Sequence, residues 1–164
     1  MVEACSIDDK FLFTHSLFGG LTTEELAYIK QYLHEELYEP DEFILRQGES
    51  NNRIFFIISG EVHIVKHTDI ADEENRLIST LHIGDTFGEM ELIDIQPCAA
   101  SAIASQATKV LTFTNYDLYQ LSKTHLKTFS MIIMNLAREI SRRLRKTDKD
   151  FANLLYQKDK SENG

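Results

Sequence analysis

Apolar positions along the chain change rhythm twice. From about Ser16 to Leu33 they recur three and four apart, at Leu26, Ile29 and Leu33. They follow Thr22-Thr23-Glu24-Glu25, whose Thr-x-x-Glu spacing is a capping box that opens a helix. From about Glu36 to Phe113 the runs become short and strand-like: Glu42–Arg46, Ile54–Ile58, Val62–Val65, Leu77–Leu81, Ser101–Ala104 and Val110–Phe113. Gly48, Ser59-Gly60, the polar stretch Thr68–Asn75 and Gly84-Asp85 mark turns between them. Runs this close leave no room for crossover helices, so the zone predicts a sandwich, jelly roll or barrel.

Helical spacing returns at a short helix, Tyr116–Ser122, and a long one starting near Leu126. Its apolar or small positions are Ile133, Ala137, Ile140, Leu144, Thr147, Phe151 and Leu154, in alternating steps of four and three. That is the seam of a helix facing another surface. It predicts either packing on the chain's own strands or pairing with the same helix of a second copy. Residues 1–15 and 157–164 read as tails.

Composition narrows the function classes. The 164 residues fit one domain with a short extension. A net charge of −9 opposes nucleic acid and anionic membranes. The longest apolar run is five or six residues, far short of a membrane span. MVEACSIDDK lacks the basic start and apolar run of a signal peptide. Cys5 and Cys98 have no metal-site spacing and make no disulfide framework, which points to a reducing, cytoplasmic setting. His63 and His67 share a strand face but stand about 13 Å apart, too far for one metal ion. Cys98 has no neighbouring His, so neither metal nor nucleophilic catalysis is expected and the chain reads as a non-enzyme. The basic run Arg142, Arg143, Arg145, Lys146 reads as a solvated helix face or as a counter-charge for a bound anion.

The chemistry is concentrated in Phe87-Gly88-Glu89-Met90-Glu91-Leu92-Ile93-Asp94-Ile95-Gln96-Pro97-Cys98-Ala99-Ala100-Ser101. Gly88 permits an unusual φ or a close backbone approach. Glu89 to Ile93 can make a helical turn whose free N–H groups face an anion. The plainer reading makes Glu89 a capping carboxylate and Cys98 a half-buried thiol.

This segment resembles the phosphate-binding cassette of cyclic nucleotide-binding domains, found in catabolite activator proteins and protein kinase A regulatory subunits. That pattern is Phe-Gly-Glu-x-Ala-Leu-x, then Pro-Arg-Ala/Ser-Ala; Gly88, Glu89, Leu92, Pro97, Ala99 and Ala100 fall at matching positions. Leu17-Phe18-Gly19-Gly20-Leu21, Gln47-Gly48-Glu49, Ser59-Gly60-Glu61-Val62 and Arg142–Leu154 extend the resemblance along nearly the whole chain.

The resemblance implies a mainly β fold, an eight-stranded jelly roll (double-stranded β-helix) with an N-terminal helix and a long C-terminal helix. The roll with its flanking helices would span 16–125, and the long helix, 126–156, would pair two copies into a homodimer. It implies that Glu89 accepts a ribose 2′-hydroxyl. Backbone N–H groups of Gly88, Glu89, Met90, Ala99 and Ala100 would hold a cyclic phosphate, and Thr147 would bond the purine.

Cys98 stands where the family has its phosphate-pairing arginine, Glu91 stands for its alanine, and Asp148 for a frequent serine. A charge-assisted hydrogen bond contributes about 1.5–3 kcal/mol and losing one partner of a buried charge pair costs about 2–5 kcal/mol, a penalty of about tenfold to several thousandfold in affinity. The expectation is a regulatory module with weak or altered binding of cAMP or cGMP and no cofactor. The alternative is a degenerate, empty pocket on a module that dimerises or docks onto a partner protein. No helix-turn-helix follows Leu155, so no nucleic-acid partner is expected, and no membrane partner either.

Overall fold

The computed structural model describes residues 7–67 and 76–162. Eight strands form two four-stranded antiparallel sheets, the expected jelly roll. One sheet runs β1 (His34–Tyr38), β8 (Thr108–Thr114), β3 (Arg53–Ser59), β6 (Thr86–Phe87). The other runs β2 (Phe43–Leu45), β7 (Ser101–Ala104), β4 (Val62–Lys66), β5 (Arg76–Leu81). Every expected run is a strand; β1 and β6 are additional.

The uninterrupted run Ile54-Phe55-Phe56-Ile57 is explained by its place. β3 lies between β8 and β6, and all four side chains are buried. A strand covered on both faces shows no polar alternation. Phe55 and Ile57 fill the roll interior with Val62, Phe87 and Val110. Ile54 and Phe56 face a second core built with Leu12, Phe18, Ile29 and Leu136 from the helices.

Those helices are α1 (Asp9–Thr14), α2 (Thr23–Ile29), α3 (Glu89–Asp94), α4 (Asn115–Thr124) and α5 (Leu126–Glu162). The capping box of α2 is present: Glu25 N–H donates to Thr22 Oγ1 at 3.2 Å, and Thr22 N–H to Glu25 Oε2 at 2.8 Å. The expected tail through residue 15 is corrected from residue 7 onward. Ile7 and Leu12 are buried in the helix-side core, which holds α1 against the roll. Residues 1–6, with Cys5, and the expected turn Thr68–Asn75 lie outside the described residues. The tail expected from 157 is also corrected, because α5 continues to Glu162.

α5 divides in two. Ile132 and Leu136 are buried, and Asn135 Nδ2 donates to the carbonyls of Leu17 and Gly19 at 2.8 Å each. The helix therefore docks on the roll one position away from the expected Ile133 and Ala137. Ile140 is the last seam residue to touch that core. From Leu144 to Lys160 every residue is exposed, the apolar Leu144, Phe151 and Leu154 at 60%, 61% and 63%.

Candidate functional site

The cassette starts where β6 meets α3. Phe87 is fixed by stacking on Phe55, rings 4.8 Å apart and 6° from parallel. Gly88 follows with φ +79, and a Cβ there would lie 2.6 Å from the Arg53 carbonyl. Only glycine fits that conformation and that approach. The turn aims Glu89 inward, where it is 2% exposed.

Glu89 is met from the far side by α5. Arg143 Nη1 donates to Glu89 Oε1 and, at 3.3 Å, to the Thr86 carbonyl. Burial pushes the Glu89 carboxyl above its ordinary range; Arg143 pulls it down, and the Glu91 and Glu139 charges push it up again. Glu89 Oε2 is buried with no hydrogen-bond partner among the described residues. A buried carboxylate oxygen left unpaired is costly, which marks the place as one that accommodates a donor.

The return segment closes the cassette. Ile95 takes a left-handed conformation, φ 57, to end α3. Cys98 N–H donates to the Glu49 carbonyl at 2.8 Å, and Gly48 N–H to the Cys98 carbonyl at 2.9 Å. These bonds tie the return segment to the Gly48 turn. The Cys98 thiol is buried, and burial first, then the Glu91 charge, pushes its pKa up. A thiol raised in this way stays protonated and carries no charge. Ala99 N–H donates to Glu91 Oε1 at 3.3 Å.

The expected residues do not all converge. Gly88, Glu89, Cys98, Ala99 and Ala100 belong to one cassette, and Met90 lies on its outer side, 51% exposed. Thr147 is exposed, and its hydroxyl donates to the Arg143 carbonyl of its own helix at 3.0 Å. The basic run also splits. Arg142, Arg145 and Lys146 are exposed, whereas the half-buried Arg143 pairs with Glu89. Its position one helical turn before Thr147 was the available signal.

Two cavities flank the cassette. One of about 640 Å³ lies behind it, lined by Leu92, Ile95, Leu118, Tyr119, Phe129 and Asn51. The other, about 190 Å³, is lined by Cys98, Arg46, Glu49 and Asn51 among others. His63 pairs with Glu61 rather than with His67, Nε2 to Oε1 3.3 Å. Among the described residues no group of three His, Cys, Asp or Glu is arranged for a metal ion, and no helix is long and apolar enough to cross a membrane.

Comparison with known proteins gives this geometry a lineage. The chain is 30% identical over 141 residues to the cyclic AMP receptor protein of Thermus thermophilus, covering 86% of this chain and 62% of that one. It is 34% identical over 112 residues to a cGMP-dependent protein kinase of Caenorhabditis briggsae, covering 68% of this chain and 15% of the kinase. The chain thus spans less than two thirds of either relative. A crystal structure of a cyclic nucleotide-binding domain from Methylobacillus flagellatus superposes with a TM-score of 0.78 at 26% identity, over 88% of this chain and 80% of that one. The family model described as the cyclic nucleotide-binding domain matches residues 35–125, which run from within β1 through β8 and include the cassette, and the chain belongs to that family.

Proposed function

We propose that this chain is a non-enzymatic regulatory module whose cassette takes a nucleotide-like ligand, with phosphate recognition weakened. The observation that carries the reading is Glu89: buried, held on one oxygen by Arg143, and on the other unpartnered among the described residues. An unpaired carboxylate oxygen fits a donating ribose hydroxyl, since a carboxylate only accepts. The phosphate end fits less well. Cys98 supplies no positive charge, and the Ala99 N–H is already engaged by Glu91.

Arg143 gives such a ligand a route to α5. The guanidinium belongs to the helix, and the carboxylate it grips belongs to the roll. A ligand that bonds Glu89 changes what Arg143 gains from docking there, and that differential contact is what shifts a population.

The exposed stripe Leu144, Phe151 and Leu154 favours a second element of the reading, parallel pairing of α5 between two copies. The alternative, an empty pocket on a dimerising or partner-docking module, rests on the same stripe together with Cys98 and Glu91. A thermal-shift screen over nucleotides and nucleosides separates the two. A ligand at a hundred times its dissociation constant adds about 2.7 kcal/mol of stability, and no shift with any compound defeats the ligand reading.

A further inference from the structure

The donors and acceptors of the cassette narrow the ligand class, given the reading above that a ligand sits against Glu89. Glu89 and Glu91 are both acceptors, and Arg143 is committed to Glu89 and the Thr86 carbonyl. With both carboxylates ionised, two negative charges and one positive leave the group at −1 before any ligand arrives. The Glu91 charge is felt on both sides of the cassette, raising the Glu89 carboxyl and the Cys98 thiol after the larger effect of burial. The Glu91 carboxylate also occupies the Ala99 N–H, doing for that donor what a bound phosphate oxygen does. Arg46 shares a cavity with Cys98, but it lies over the Phe43 ring at 3.9 Å, and Glu49 lines the same cavity.

A 3′,5′-cyclic nucleotide suits this arrangement poorly. Its phosphate brings a second negative charge and further acceptors, and the ring closure removes the 3′ and 5′ hydroxyl donors. A free nucleoside carries no charge and offers all three ribose hydroxyls. We propose that the cassette is a nucleoside site: it binds an uncharged nucleoside through its ribose hydroxyls, in preference to the matching cyclic nucleotide, with Glu91 serving as a built-in substitute for the phosphate.

Calorimetry on the full chain with adenosine, guanosine, cytidine and uridine, each beside its 3′,5′-cyclic nucleotide, tests this. At least one nucleoside is expected to bind at least tenfold tighter than its cyclic partner. Glu89→Gln is expected to weaken that nucleoside at least tenfold. The double variant Glu91→Ala with Cys98→Arg is expected to reverse the order, and circular dichroism melting checks that each variant folds. Glu91→Gln, which keeps the shape and removes the charge, is expected to narrow the gap even if the double variant is unstable. A cyclic nucleotide binding the wild type as tightly as its nucleoside overturns this inference while leaving the binding role of the cassette intact. No binding by any of the eight compounds to the wild type overturns both.

Discussion

Replacing Arg143 with Met removes the cation from a carboxylate that is almost fully buried and leaves most of the aliphatic packing in place. Glu89 then has two courses. It stays ionised without its partner, or it takes up a proton. Protonation sets the ceiling on the cost. At pH 7 a carboxyl with an ordinary pKa of 4.5 lies about 2.5 units above its titration point, which at 1.36 kcal/mol per unit is about 3.4 kcal/mol.

The increment from the mutation is smaller. Glu89 is already raised in the wild type, and Arg143 is 41% exposed, so solvent screens part of the pair. About 2 kcal/mol is expected at pH 7. The sign of the pH dependence follows from the upward shift: stability is fully present below the unfolded pKa and is lost as pH rises toward the folded one. The variant, raised further, goes on losing stability where the wild type has stopped. The gap between the two proteins should therefore close to under about 0.7 kcal/mol at pH 5, where only half a unit separates pH from 4.5. Urea unfolding at pH 7 and pH 5, at one fixed protein concentration, measures both gaps. A gap below about 0.5 kcal/mol at pH 7, or one unchanged between the two pH values, refutes the reasoning.

Two further outcomes are expected. Leu144→Glu with Phe151→Glu changes only exposed residues of α5, so it should convert a dimer to a folded monomer in sedimentation; a wild type that is monomeric at tens of micromolar sinks the pairing. His15 is buried against Phe11, Phe18 and Phe56, and that burial lowers its pKa below 6.5, against the raising effects of the Gly84 backbone, Glu139 and Asp85. Its contribution is present above pH 6.5 and fades as pH falls below it, so His15→Phe should flatten the acid side of the stability profile from pH 6.5 to 5.5; an unchanged slope contradicts this.

The sequence exposed the roll well because strand runs and turn glycines are local signals. β1 escaped because three of the five residues of His34–Tyr38 are exposed and the strand packs one-sidedly, and β6 because two residues make no pattern. α1 escaped because its first turn is polar, leaving Ile7, Leu12 and the partly buried Phe11 to anchor it. The long helix has two apolar stripes; the regular four-three spacing picked the one that faces outward beyond Ile140, and Ile132 and Leu136 took the roll. At the site, Gly88 and Glu89 were legible from their own neighbourhood. The Arg143–Glu89 pair joins residues 54 apart, so only Arg143's place one turn before Thr147 hints at it, and the Ala99–Glu91 bond depends on how the return segment folds back.

The exposed half of α5 has a mechanical consequence. From Arg143 to Glu162 the helix extends roughly 28 Å beyond its last grip on the roll. A tilt of about 5° at Arg143 moves its tip by roughly 2.5 Å, nearly half the pitch of an α-helix. The domain is thus built as a lever with its fulcrum beside the buried carboxylate, so a rearrangement too small to see at Glu89 becomes a displacement of atomic size at whatever the far end of α5 touches.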